Sequence, residues 1–389
     1  MKKVGIIGGG IAGLTCGYRL VQKGVNSIIF EKEIIIGGRT NYAVAIGSEK
    51  FQTYVMKLVK ELDLEEAKVI LKKNEIAFFL KDLMPVEKLP QLALKSLGAR
   101  GTLSFLRFSR FVNSLNFNAF FPSKELLDLR NISLAQYGEK FSEKVRFLAL
   151  APAIVFSGKD DLNSVGADYG LCLIRMGNEL TSGKAIGFEE VNLMSLSNIL
   201  AKEIREKGGE ILSNCEVKRV IKKEEGFEIC YERLGEEKVE IVEKVVFALP
   251  LFHVPKIFPE LEIKTNIEYP LMKILIIRGK PKYPRRLIIG LPGNSYNFRI
   301  WMNLIPTEQY FIPWEKEKKV SLDFLYEDYQ VISEKEIAPI PSFPPNPQVP
   351  ELKTSIEGVF LAGDFYYYPF DTPVQTAEVI AKMISKDLK

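Results

Sequence analysis

Three glycines and one acid near the start of the chain have the spacing to hold a dinucleotide. Gly8-x-Gly10-x-x-Gly13 follows the apolar residues 4–7, and Glu31 comes eighteen residues after Gly13. Gly8 permits a tight turn, and Gly10 lets the backbone approach a pyrophosphate with no side chain in the way. Gly13 lets the next helix pack close to a sheet. A helix opening at Ile11 and Ala12 turns its first N–H groups, and a partial positive charge, toward the phosphates. Glu31 can accept hydrogen bonds from both ribose hydroxyls, and its charge would repel a 2′-phosphate. Lys32 beside it is counted with the same site.

Alone, GxGxxG is a weak signal. Here the pattern predicts strands over residues 4–7 and 27–30, with a helix over 11–23 stopped by Gly24. Six residues beyond Glu31 stands "GGRT", residues 37–40. Its glycines allow a second close backbone approach, and Arg39 can neutralise a pyrophosphate oxygen. A simple nicotinamide dehydrogenase has no reason for this second motif.

The succession GxGxxG, Glu, GGR resembles the FAD-dependent superfamily of monoamine oxidases, protoporphyrinogen oxidases and phytoene desaturases. The resemblance extends over most of the chain. It implies that Gly38, Arg39 and Thr40 join the cofactor site and that Gly47 lies near the flavin ring. It also implies that Val217 meets the adenine through its backbone, and that Gly363 and Asp364 reach the pyrophosphate and ribityl chain. Residues 133–165, "SLAQYGEKFSEKVRFLALAPAIVFSGKDDLNSV", are similar to the protoporphyrinogen oxidase and desaturase side of the superfamily. One stretch departs: "GFEEVNLMSL" stands where a glycine-rich turn is usual.

The C-terminal "VFLAGDFYYYPFDTPVQTAEVIAKMI" predicts a buried parallel strand over residues 359–362 and a final helix. Asp371 or Thr372 can cap that helix, and Pro373 suits its first position. The N–H of Val374 is then expected to face the flavin N1 and C2 carbonyl, where negative charge gathers on reduction. One of Tyr366, Tyr367 and Tyr368 can lie beside the flavin ring, or all three can be ordinary packing. Lys273 in "YPLMKILIIRGKPKY" resembles the amine-oxidase lysine that holds a water against flavin N5. The plainer reading is a solvent-facing lysine at a strand start.

Other chemistry is sparse. The single histidine, His253, follows a buried strand pattern and reads as structural, and no metal site is expected. Four cysteines without a CxxC pair read as free thiols of a reducing compartment. The net charge of +4 gives no reason to expect nucleic acid. No apolar run reaches membrane-spanning length, and the glycine-rich N-terminus does not read as a signal peptide. The expectation is a cytoplasmic protein.

These residues need two bodies to position them, and 389 residues suit two domains. The expected fold is α/β: a Rossmann-like FAD-binding domain interleaved with an α+β substrate domain of mixed or antiparallel sheet plus helices. Residues 1–75, 183–258 and 351–389 form the first, and residues 76–182 and 259–350 the second. The alternating "MKILIIRGK", "RLIIGLP" and "NFRIWMNLIP" are strands of the second sheet. Six prolines between 337 and 350 make that run an extended crossing.

Residues 88–124 contain no acid, and Phe105, Phe108, Phe111 and Val112 fall on one helical face. Residues 94–122 can therefore touch a membrane or line the entrance for an apolar substrate, or the face can pack inward. The implied function is a FAD-dependent oxidoreductase taking a hydride from a C–N or C–C bond of a small apolar or amine-bearing substrate. Porphyrinogen oxidation, isoprenoid desaturation and a non-catalytic FAD-binding role are the alternatives. Oligomeric state is not encoded in any pattern found.

Overall fold

The computed structural model describes residues 3–41, 51–64, 68–183, 185–188, 193–305, 308–315, 321–338, 340–369 and 371–388. β1 (Lys3–Ile7), α1 (Ile11–Val21) and β2 (Asn26–Phe30) build the predicted strand–turn–helix–strand unit. β1 and β2 lie inside a five-stranded sheet in the order Val359–Leu361, Lys244–Phe247, β1, β2, Glu210–Leu212. Every neighbouring pair is parallel. The strands carry near-continuous apolar residues because both faces are covered. One face meets α1, which packs between the final helix (Thr372–Asp387) and the helix Leu193–Glu206. The other meets an antiparallel sheet of Cys215–Lys222, Phe227–Arg233 and Glu236–Val242. The contact is close: a Cβ at Gly5 would stand 2.5 Å from Ile229 Cδ1.

A second sheet has seven strands, in the order Tyr326–Ile337, Met272–Pro281, Glu308–Pro313, Phe298–Ile305, Leu287–Gly290, Ile76–Phe79, Leu83–Pro85. All pairs are antiparallel except Leu287–Gly290 with Ile76–Phe79, so the sheet is mixed, as the alternating patterns predict. Its two faces follow the period of two. Ile274, Ile276, Leu287 and Ile289 pack with Val155, Met176 and Leu180 of the helices Glu143–Ser157 and Ala167–Thr181. Leu275, Ile277 and Ile288 point to the opposite face and meet Phe298, Trp301, Phe311 and Phe324.

Arg19 of α1 forms an ionic junction beside the parallel sheet. Its guanidinium pairs with Glu61 at 2.5 Å and Glu378 at 2.6 Å. Glu61 ends α2 (Thr53–Glu61) and Glu378 lies on the final helix, so one side chain joins three helices. The Arg19 hydrogen bonds hold the Glu61 carboxyl down at about 2.

α3 (Leu89–Ser114) bends at Gly98, where φ is +68°. Phe108 and Val112 are buried, and Phe105 and Phe111 are half-buried against the core, so the predicted apolar face turns inward. Leu94, Leu103 and Leu106 stay exposed. Among the described residues no helix is long and apolar enough to cross a membrane.

Candidate functional site

The glycine turn has a steric reason at two of its three positions. A Cβ at Gly13 would lie 1.9 Å from the Gly8 carbonyl oxygen, and one at Gly8, where φ is +110°, 2.4 Å from the Ala248 carbonyl oxygen. These two glycines let α1 and the strand Lys244–Phe247 close on the turn. Gly10 is different: its Cβ would meet only the Gly37 carbonyl oxygen, at 4.0 Å. Gly10 is thus kept free of a side chain by something other than the chain's own packing. The N-terminus of α1 opens there with no side-chain cap and no acid in its first turn. Leu14 N–H donates to Gly10 O at 2.9 Å, which leaves the amides of Ile11, Ala12 and Gly13 ahead of the first intrahelical bond.

The GGRT segment lies directly on this turn. Gly37 N–H donates to Gly9 O at 2.8 Å, and Gly10 and Gly37 form an isolated parallel bridge. A 3-10 turn, Gly38–Asn41, follows. The Thr40 hydroxyl donates to Gly37 O at 2.7 Å and lies 3.1 Å from Ser197 Oγ. At the end of β2, Glu31 is buried and accepts from Gly9 N–H at 2.7 Å and Glu33 N–H at 2.9 Å. Burial pushes its carboxyl up from the ordinary value, with the two amides opposing. Lys32 is exposed beside Glu33. Val217 is nearly buried on the strand whose first residue, Cys215, donates its N–H to Glu31 O at 2.8 Å. Glu31 and Val217 thus occupy the same end of the sheet.

The C-terminus completes the arrangement. Asp364, directly after the strand Val359–Leu361 and Ala362-Gly363, is buried, and Arg39 Nη1 stands 2.5 Å from its Oδ2. Arg39 also donates to Ala338 O at 3.2 Å. Burial works against the Arg39 charge, but Asp364 outweighs it and the guanidinium pKa rises. Gly363 N–H donates to Thr376 Oγ1 at 3.0 Å, which locks the turn to the final helix. Thr376 carries no signal in the sequence, since its partner lies thirteen residues away across a loop.

The start of the final helix corrects two expectations. Asp371 precedes the helix, but its side chain does not cap it. Its carboxylate instead accepts from Tyr54 N–H at 2.9 Å and Val55 N–H at 2.8 Å, and so caps α2. Thr372 turns backward and donates to Tyr367 O and Tyr368 O, at 2.6 and 2.7 Å. The N–H of Val374 is not a free donor: it and that of Gln375 both reach Asp371 O, each at 3.2 Å. The αR backbone of Asp371 tightens this first turn, and Pro373 beside it has no N–H to offer. Asp371→Ala should cost about 1–2 kcal/mol, the worth of a good cap. Hydrogen exchange at the Tyr54 and Val55 amides should speed up first; unchanged exchange there would remove the capping role.

All three tyrosines have partners within the protein. Tyr366 stacks on Phe120 with ring centroids 5.0 Å apart. Tyr367 receives the Arg130 guanidinium 3.7 Å above its ring. Tyr368 is buried edge-on to Phe117, its hydroxyl 3.4 Å from Asp168 Oδ2. Tyr367 and Tyr368 both hold positive φ, +35° and +52°. Consecutive non-glycine residues there are strained, and the Thr372 bonds to their carbonyls help fix them. Asp168, Arg130 and Gln375 went unread in the sequence. Gln375 is buried with Oε1 unpartnered, beside a cavity of about 60 Å³ shared with Thr53, Phe117 and Asp371.

Lys273 lies on the strand Met272–Pro281, on the face away from the two helices, and its Nζ is 2.6 Å from Glu334 of the neighbouring strand. The Lys273 side chain is 27% exposed and that of Glu334 56%, the setting of a solvent-side ion pair. Gly47 lies outside the described residues, as does part of "GFEEVNLMSL".

The residues present fit the dinucleotide end of FAD. The open space at Gly10, the uncapped end of α1, the Arg39–Asp364 pair and the Glu31 carboxylate converge on one turn. Residues 6–60 match the family of NAD(P)-binding Rossmann-like domains. Solved structures match over nearly the full chain. A triple mutant of putrescine oxidase, from a redesign of its cofactor binding, has a TM-score of 0.72 at 13% identity, covering 99% of each chain. A fatty acid isomerase from P. acnes that produces CLA gives 0.71 at 14% identity, covering 98% of each. A protein assigned as a protoporphyrinogen oxidase, from Exiguobacterium sp. 255-15, gives 0.67 at 13% identity and 99% of each. No curated protein matches the sequence. At 13–14% identity, the likeness to these structures is one of fold.

Proposed function

We propose that the chain is a FAD-dependent oxidoreductase that takes a hydride from a carbon of a C–N or C–C bond in a small organic substrate. The observation that carries this reading is the cradle itself. The start of α1 and the GGR loop meet at the Gly10 turn, and Asp364, far away in sequence, pairs with Arg39 of that loop. FAD, when bound, supplies a ring that accepts two electrons and a proton as hydride at N5. Glu31 would hold the adenosine ribose, the α1 amides and Arg39 the pyrophosphate, and Asp364 the ribityl chain. Val217 would meet the adenine and Lys32 would flank it. Pairing with Asp364 keeps Arg39 oriented and charged before any ligand arrives.

The fold does not choose the substrate, since one fold hosts many chemistries. The ion pair of Lys273 with Glu334 weakens the lean toward amines and favours a porphyrinogen or polyprenyl C–C bond as the second reading. The visible spectrum of the purified protein is the first test. Flavin bands are expected, and their absence even after FAD is added back would sink the proposal. Anaerobic bleaching by amines, porphyrinogens or polyprenyl compounds then separates the branches. Lys273→Met should leave both flavin reduction and reoxidation unchanged; slowing of either half-reaction would return Lys273 to the reacting centre.

A further inference from the structure

On the outer side of α3 lies a cleft of about 480 Å³ that shares no residue with the cofactor cradle. This volume is within the usual range for small-molecule sites. From α3 come Arg100, Ser104, Arg107, Phe108 and Phe111, which recur at three- and four-residue steps and so share one face. Tyr137, Lys140 and Phe141 close the other side, from the helix Leu134–Gly138 and the turn after it. Phe108 packs on Phe141 at 5.0 Å and forms the apolar floor with Tyr137.

Two independent observations point to a ligand. The first is charge. Three cations line the cleft and no acid does. None of the three has an ion pair among the described residues, and Glu139 and Glu143, the nearest acids in sequence, are not in the lining. Lys140 Nζ sits 3.4 Å above the Tyr137 ring, and burial lowers its pKa because no carboxylate supports its charge. The second is Tyr137 itself. Only 7% of it is exposed, yet its hydroxyl has no hydrogen-bond partner among the described residues. A buried hydroxyl without a partner costs free energy that a ligand acceptor would recover.

We propose that this cleft binds an amphipathic carboxylate, its apolar body against Phe108, Phe111 and Phe141 and its head group among Arg100, Arg107, Lys140 and the Tyr137 hydroxyl. The guanidinium groups are suited to bidentate contact with a carboxylate, and the hydroxyl donates the remaining hydrogen bond. An alcohol of the same chain length would fill the apolar floor and leave the cations unmatched.

The test is titration of the full-length protein as purified with dodecanoate and with dodecanol, followed by calorimetry. Dodecanoate should bind about tenfold or more tighter than dodecanol, the effect of one charge-assisted contact. Arg100→Gln with Arg107→Gln should remove that preference, and Tyr137→Phe should weaken dodecanoate severalfold without altering the flavin spectrum. Arg110→Gln, on the same helix but outside the cleft, should change nothing. Equal binding of acid and alcohol, or an unchanged preference in the double variant, would overturn the proposal. So would binding to phosphatidylglycerol vesicles with none to free dodecanoate, which would make this face a membrane surface.

Discussion

Gly10→Val is expected to give a folded protein that no longer retains FAD. The backbone at Gly10 is extended, with φ −75° and ψ 179°, so a valine meets no conformational penalty there. Its Cβ would find no atom of the described residues nearer than 4.0 Å. The added methyls would stand where a pyrophosphate must approach the uncapped end of α1. Affinity for FAD should fall at least about a hundredfold, or about 2.8 kcal/mol, while urea unfolding of the apoprotein stays close to wild type. Gly13→Val is the contrasting control. Its Cβ would lie 1.9 Å from the Gly8 carbonyl oxygen, so α1 must move off the sheet and stability must fall with cofactor binding. If both variants lose stability alike, Gly10 is a packing glycine and the cradle is misread. If Gly10→Val binds FAD normally, the pyrophosphate does not sit at this turn.

Removing one member of the Arg39–Asp364 pair should be costlier than removing both. Asp364 is 4% exposed, and Arg39→Met would leave its carboxylate buried without a counter-ion. A loss of about 3 kcal/mol in apoprotein stability is expected, as for other broken buried pairs. Adding Asp364→Asn to Arg39→Met should restore much of this, since no uncompensated charge then remains. FAD affinity should not return with it, because the double variant lacks both the guanidinium and the acid. A double-mutant cycle on stability, run beside a FAD titration, separates the two roles. Additive stability losses would show that the pair does not interact, and wild-type FAD affinity in the double variant would remove both residues from the cofactor.

Much of this site could be read locally because its rules are local. The glycine spacing, the acid at the end of β2 and the GGR segment each have a mechanical reason within a few residues. The structure brings them together at one turn. The alternating strands 272–281, 287–290 and 298–305 were legible for the same reason, as a period of two needs no partner to be seen. What stayed hidden depends on pairing over long distances. Nothing near Asp371 says that its carboxylate serves a helix starting over three hundred residues earlier. Nothing near Lys273 says that Glu334 will lie beside it, because that register is set by the whole strand pair. The acid-free α3 was conspicuous in the sequence, but Tyr137 and Lys140, which turn it into a cleft, come from another helix and the turn after it.

The parallel sheet has a consequence for how the protein is made. β1 leaves the ribosome well before its neighbour Lys244–Phe247 and the edge strand Val359–Leu361. The cap on α2 and the partner of Arg39 come later still, from Asp371 and Asp364. At about 5–20 residues per second, β1 and the glycine turn wait roughly 20–70 s for the strand that closes their sheet. Through that interval the apolar strands are exposed nascent chain, and the cofactor has no complete cradle to enter. On the proposed function, FAD is therefore loaded only after Asp364 has emerged. A translation stall or a proteolytic cut between Phe247 and Val359 would leave β1 and its neighbour without the edge strand, Asp364 and Asp371.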